Sequence, residues 1–344
     1  MKPSRVLLIT HESLVPPAST RGYTAAEIDE WRAEYEVSRA LTAAGHEVRA
    51  LGLYDNLGDL RAAVTEWKPD IAFNLLQEFQ GIGTYDQYIV AFLELLRQPY
   101  TGCNPRGMML SRDKALSKQI LSYHRIPTPR FAVVRRGRRP RLSPRLRFPL
   151  FVKSATEDAS LGISQASIVD DAAKLKERIE FIHEHTQSDA LVEEYVDGRE
   201  LYVGICGNER LTTFPAWELD FGTLPEAMAG IATRKVKWDR NYQRKHGIDA
   251  HRAEDLPEAT QAALARLSRR IYRALHLSGY ARMDFRMRAD GSLYVLEANC
   301  NPDICRDEAF ASAAAAAGVG YEPLLERLIS LGQAYAAAWR TAGD

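Results

Sequence analysis

At 344 residues the chain is long enough for two or three domains of ordinary size. It balances 45 Lys and Arg against 45 Asp and Glu, with 46% hydrophobic and 26% charged residues. This fits a soluble globular protein and excludes an overall field favouring nucleic acid or an anionic membrane. No stretch approaches the ~20 apolar residues of a membrane helix, and the apolar run at 6–9 ends at His11-Glu12, too short for a signal peptide. Cys103, Cys206, Cys300 and Cys305 form no CxxC or zinc-type spacing, so a reduced, cytoplasmic protein is expected.

In chain order, RVLLIT at 5–10 reads as a buried parallel strand. Residues 24–44 carry apolar side chains at helical spacing and end at Gly45, a C-cap residue. HEVRALGL is a second strand, 57–67 a helix, and PDIAFNLL a third strand. This alternation predicts a parallel sheet and an α/β fold. There is neither a GxGxxG nor a GxxxxGK element, so dinucleotide and P-loop readings are poor. A helix is expected over 85–97, a short strand in RQPYTGCNP, and a helix from an N-capping Ser111 to about His124. The loop at 135–147 holds seven arginines, no acid and two prolines; a solvated connection is favoured over a nucleic-acid patch.

FPLFVKS is an apolar strand with Lys153 at its end, next to the loop TEDASLG, an arrangement that can set a cation and backbone N–H groups around phosphates; the bland reading is a surface lysine. ISQASIV is read as a strand, 170–186 as a helix, ALVEEYV and ELYVGIC as strands, and 255–276 as a long amphipathic helix. A basic stretch at 232–248 carries Lys235 and Lys237. Residues 307–318 and 322–340 read as closing helices.

Between them lies GYARMDFRMRADGSLYVLEANCNPDIC, which reads as a β-hairpin. A two-residue turn at Asp290-Gly291 places Asp284 opposite Glu297 and Arg282 opposite Asn299, all on one face. Facing carboxylates roughly 5 Å apart repel unless a cation lies between them. Two carboxylates and an amide oxygen suit Mg²⁺; the alternative is an exposed hairpin whose acids are neutralised by Arg282 and Arg286.

The run Arg282-x-Asp284, twelve residues, Glu297-x-Asn299 resembles the metal signature of ATP-grasp carboxylate–amine ligases, and most of all the D-alanine–D-alanine ligase family. The similarity spans nearly the whole chain. It implies an N-terminal α/β substrate domain at 1–110, a central lid (α+β) at 111–195 and a C-terminal domain at 196–344 bearing the hairpin. It further implies that Lys114, Lys153 and Lys237 meet the phosphates of ATP and that Glu157, Ser160 and Gly162 belong to the loop over them. Glu193, Tyr195 and Val196 would surround the adenine, and Glu200 would hold the ribose. Asp284, Glu297 and Asn299 would ligate two Mg²⁺ ions, with Mn²⁺ as an alternative, and Arg282 would stabilise the reacting centre. The implied activity is ATP-dependent amide formation through an acyl phosphate, from amino-acid or peptide substrates; self-association into a homodimer is open.

Departures from the family pattern fall on substrate-gripping positions. Ala159 and Trp238 stand where a serine and a tyrosine form a gate, Gln77 replaces a histidine, Asp303 an oxyanion-binding glycine, and Glu308 a serine that holds the acceptor carboxylate. Glu36-Val37-Ser38 sits too near GHEV to supply the family's early glutamate. Altered substrate specificity is therefore expected. The competing readings are an ATP-binding protein without ligase activity and a kinase-like enzyme that only phosphorylates a carboxylate.

Overall fold

The computed structural model describes residues 2–138, 143–157, 161–225 and 228–341. Its first sheet is parallel, with β1 (Arg5–His11) between β2 (Glu47–Leu53) and β3 (Ile71–Asn74). Helices cover both faces, which is why β1 is apolar on both. Val6 and Leu8 pack on one side with Val37 and Leu41; Leu7 and Ile9 pack on the other with Leu60, Ile89 and Leu93.

The helix expected over 24–44 is two helices, α1 (Ala25–Glu30) and α2 (Arg32–Ala43). Trp31 separates them at φ −117°, ψ 22°, its buried ring edge-on to Tyr23 and Tyr35. α3 (Leu57–Ala62) runs on into a wider turn over Ala63–Trp67, and α4 (Asp86–Leu95) follows β3. The short strand expected near residue 100 reduces to one bridge, Ala72 to Tyr100, before the chain turns at Gly102. There φ is 94°, in the left-handed region that favours glycine, and a Cβ would also press on the Asn301 amide.

Ser111 is not an N-cap. Asn104 caps α5 (Pro105–Arg112) and Asp113 caps α6 (Lys114–Tyr123), so one expected helix again becomes two. The reason lies at Lys114, whose N–H donates to Ala155 O at 3.0 Å and so ties the start of α6 to the next sheet.

That second sheet is antiparallel: β4 (Phe131–Val134), β5 (Leu150–Ser154), β6 (Ile168–Val169) and β7 (Ala190–Glu194), in the order β4-β7-β5-β6. α7 (Ala172–His185) buries Leu175, Ile179 and Ile182 against it. Only the end of ISQASIV is strand, because Ser164 and Ser167 bond each other's backbone around a 3₁₀ turn. Of the arginine-rich loop, Arg135, Arg136, Arg138, Arg145 and Arg147 are exposed, and residues 139–142 lie outside the described residues.

The third sheet is built on β8 (Arg199–Cys206), with short β9 (Thr212–Thr213) beside it. β10 (Trp217–Asp220), β11 (Asp249–Arg252), β12 (Tyr280–Met287) and β13 (Leu293–Cys300) complete it. α8 (Arg234–Trp238) and α9 (Arg240–His246) connect β10 to β11, and α10 (Glu258–Ala274) backs the sheet. Ala281, Met283 and Phe285 point into the core with Leu264 and Ile271. α11 (Ala309–Ala316) lies against β8, α12 (Tyr321–Ala334) returns to the first sheet, and α13 (Ala338–Thr341) ends the described chain.

The hairpin pairs Asp284 with Glu297 and Arg282 with Asn299, as expected, but not through the expected turn. Near the tip Met287 pairs with Leu293, and Arg288 N–H donates to Ser292 O at 3.0 Å. The loop therefore has three residues, with Gly291 at φ 82°. A bulge follows between Asp284 and Phe285, where Leu296 is the extra residue. The longer turn and the bulge shift the register by one residue each and cancel.

Candidate active site

β12 alternates, so Arg282, Asp284 and Arg286 share the face turned away from the core. Arg282 clasps Asp284 two residues on, Nε to Oδ1 at 2.8 Å and Nη2 to Oδ2 at 2.9 Å. Asn299 Nδ2 donates to Asp284 Oδ2 at 2.9 Å. Arg286 bonds Glu200 Oε2 at 2.7 Å, and Tyr202 Oη donates to the other Glu200 oxygen at 2.8 Å. The alternative of an exposed hairpin fails, since Asp284 and Arg286 are buried and Arg286 neutralises Glu200 of β8; of that reading only the Arg282–Asp284 pair remains, and two carboxylates still face each other.

That face forms the floor of a cavity of about 800 Å³ beneath the four-stranded sheet. Phe151, Ile163, Val196 and Leu296 supply apolar wall, and Lys114, Lys153, Lys237, Asp284 and Glu297 supply charge. A second cavity, about 1910 Å³, shares Lys114, Lys237 and Glu297 with the first and reaches Gln77, Asp303 and Glu308. Arg282 and Asn299 line this second space.

Most of the expected residues converge. Lys114 starts α6, its Nζ donating to Glu157 O at 2.8 Å and lying 3.9 Å from Glu297. Lys153 and Glu193 are neighbours on β5 and β7, Nζ to Oε1 at 2.8 Å. Tyr195 and Val196 line the first cavity. Tyr195 N–H is committed to Pro149 O at 3.0 Å, whereas Val196 N–H donates to no backbone group among the described residues. Gly162 is not in the wall: its carbonyl accepts from Arg178, while Leu161 and Ile163 beside it face the cavity. Ser160 and Ala159 lie outside the described residues, as does the side chain of Trp238.

The charges are strongly biased by their setting. Burial works against ionisation of Glu297, but Lys114, Lys153, Lys237 and Arg282 outweigh it and hold its carboxyl far below the ordinary range. For Asp284 burial prevails over Arg282, and its pKa is raised. Glu193 is pulled down, burial being outweighed by Lys118 and Lys153. An acid kept ionised beside one pushed toward neutrality is a common feature of functional sites.

Two residues escaped the sequence reading. Lys118 lies 2.8 Å from Glu193 Oε2 and is almost wholly buried; its spacing of four from Lys114 places both on one helix face, a usable signal. Glu34, in the first turn of α2, is 5% exposed and accepts from Thr10 Oγ1 at 3.4 Å. Burial, then Asp303, push its pKa up to about 7. Glu36 accepts from Arg306 N–H at 2.8 Å. The segment set aside as lying too near GHEV therefore does reach the 303–306 loop.

A hard divalent cation fits this donor set: two opposed carboxylates and an amide whose oxygen a half-turn of the Asn299 side chain would present. Among the described residues no group of three or more His, Cys, Asp and Glu side chains could hold a metal, so a cation here would take Asn299 as its third protein donor. No helix among the described residues is long and apolar enough to cross a membrane.

Comparison with known proteins agrees with this geometry. Residues 120–330 match the family described as D-ala D-ala ligase C-terminus. An uncharacterised protein, y4sG, of Sinorhizobium fredii is 33% identical over 265 residues, covering 76% of this chain and 74% of its own. A D-alanine–D-alanine ligase of Nitratidesulfovibrio vulgaris is 31% identical over 313 residues, covering 88% and 95%. The crystal structure of D-alanine–D-alanine ligase from Bacillus anthracis complexed with ATP has the same fold, with a TM-score of 0.72, 23% identity and coverage of 96% and 97%. The match over residues 120–330 and the 31% identity over most of both chains show that the chain belongs to the D-alanine–D-alanine ligase family of ATP-grasp, ATP-dependent ligases.

Proposed function

We propose that the protein joins a carboxylate to an amine at the expense of ATP, through an acyl phosphate, with an acceptor preference different from that of D-alanine ligases. The observation that carries this reading is the convergence of Asp284, Glu297, Lys114, Lys153 and Lys237 on one cavity that shares Lys114, Lys237 and Glu297 with a second. The nucleotide would lie in the first, its base among Phe151, Ile163 and Val196 with the Val196 N–H as a donor, its ribose near Glu200. The same reading divides the chain at about residues 110 and 195 into three parts, one for each sheet.

In the first step a carboxylate oxygen attacks the γ-phosphorus and the bond to the β-phosphate oxygen breaks, releasing ADP. In the second an amine attacks the acyl carbon, phosphate leaves with the C–O bonding pair, and the amine loses a proton. Such transfer needs alignment and charge neutralisation more than covalent help. Lys114, Lys153 and Lys237 would neutralise phosphate oxygens, and Arg282, whose guanidinium faces the second cavity, the charge at the acyl carbon. Asp284, Glu297 and Asn299 would hold Mg²⁺ or Mn²⁺, two ions by family resemblance, which when bound screens triphosphate charge.

The altered preference rests on the far end of the second cavity. Glu308, at the start of α11, lies 3.5 Å from Arg32, which also pairs with Asp307 at 2.7 Å. Asp303 accepts from Cys305 N–H at 2.8 Å. An acceptor carboxylate directed there would meet like charges, which costs selectivity against it; an amine lacking that carboxylate would not. ADP release measured with ATP, Mg²⁺ and a panel of carboxylates and amines tests the reading. Turnover with some pair supports it, and absence of any stimulated turnover overturns it. Asp303, a carboxylate where the family stabilises an oxyanion, favours the second reading, an ATP-binding protein without ligase activity.

A further inference from the structure

We propose that Lys118 is a positioning residue for the nucleotide: a second, buried counter-ion that keeps Glu193 paired when Lys153 leaves it for a phosphate. The inference rests on the ATP reading above. Glu193 holds two ammonium groups at once, Lys153 Nζ at 2.8 Å from Oε1 and Lys118 Nζ at 2.8 Å from Oε2. All three side chains are under a tenth exposed. Lys153 lines the first cavity, and Lys118 does not. Among the described residues Lys118 has, besides Glu193, one long contact, to Val295 O at 3.5 Å.

An anion entering the cavity competes with Glu193 for Lys153. With one cation only, that competition would strand a buried carboxylate, which is strongly unfavourable. With Lys118 in place Glu193 retains a partner, and Lys153 can turn toward the ligand. Lys153, in the cavity wall, is the cation an anion can reach; Lys118, outside that wall, is left to the carboxylate. Each Glu193 oxygen lies within ion-pair distance of one lysine, and Oε2 accepts no hydrogen bond of good geometry among the described residues, so its pairing with Lys118 is electrostatic.

The test is calorimetric titration of the full chain with MgATP, which needs no knowledge of the other substrates. Wild type should bind, and failure to bind would overturn the ATP reading itself. In Lys118→Met the MgATP Kd should rise ~10-fold or more, because Glu193 now pins Lys153. Against a Glu193→Gln background, where no carboxylate is left to pin Lys153, the further change Lys118→Met should alter the Kd by less than about threefold, and this pair is the one to compare if Lys118→Met alone does not fold. An unchanged Kd in Lys118→Met, or a further ~10-fold loss on adding it to Glu193→Gln, overturns the proposal. A purely structural lysine would lower the melting temperature and weaken binding as much in the Glu193→Gln background as in wild type.

Discussion

Asp284 faces Glu297 across the β12–β13 hairpin, immediately beside the bulge at Leu296. One acid is pushed toward its neutral form by burial and the other held ionised by four surrounding cations. Replacing Glu297 by Gln keeps the shape and removes the charge. ATP turnover should fall at least ~100-fold, since a bound cation is worth several kcal/mol at a phosphoryl centre. Circular dichroism should remain that of wild type. Unchanged turnover would remove the hairpin from the chemistry.

Lys153→Ala should weaken MgATP binding by ~10–100-fold, as expected for one charge-assisted contact. Equilibrium dialysis decides it, and an unaltered Kd would dissociate β5 from the nucleotide.

Arg286 bonds Glu200, Gly198 O and Gly230 O and is nearly buried. Arg286→Ala leaves the Glu200 carboxylate without its cation, and a loss of roughly 3–5 kcal/mol of stability is expected. Urea denaturation measures it; a loss below ~1 kcal/mol would mean that water replaces the arginine at little cost.

Glu34 titrates at about 7 in the folded chain against an ordinary 4.5, the cause being burial first and Asp303 second. A raised carboxyl pKa means the folded state binds the proton more tightly. Stability therefore declines as pH rises from about 4.5 to about 7 and stays reduced above that. The full difference is roughly 3 kcal/mol. Glu34→Gln should thus be more stable than wild type at pH 8.5 and gain little at pH 4. Denaturant melts at both pH values show whether the gain is pH-dependent; equal gains would refute the assignment.

Asp303→Gly with Glu308→Ser removes two acids from the far end of the second cavity. Selectivity for amines bearing an α-carboxylate over those without one should rise by ~10-fold or more, read as the ratio of kcat/KM values. An unchanged ratio would place acceptor choice elsewhere.

Strand patterning made the first sheet and the β12–β13 hairpin legible, because the apolar run Val6–Ile9 in β1 and the alternation in β12 each state which faces they bury, whereas the short β4, β9, β10 and β11 carry too little pattern to be read. Asp284 and Glu297 were found from a turn that does not form, and the pairing is right because the three-residue loop and the bulge offset each other. Local periodicity cannot see such a cancellation. Nor could it see the breaks at Trp31 and Asp113, which come from ring packing and from Lys114 N–H reaching Ala155. Lys118 and Glu34 were missed for the same reason: each draws its importance from a partner distant in sequence, Glu193 for one and Asp303 for the other.

The return of α12 to the first sheet has a mechanical consequence. Leu324, Leu325, Leu328 and Ile329 are packed among Val6, Leu8, Ile71 and Phe73, so the C-terminal region and the first sheet are interlocked. The cluster built on Val134, Val152, Ile179 and Val192 takes all its members from the four-stranded sheet and its helix. Among the described residues that sheet keeps its apolar interior to itself, so it is the wall of the proposed nucleotide site whose displacement would tear no other unit's core.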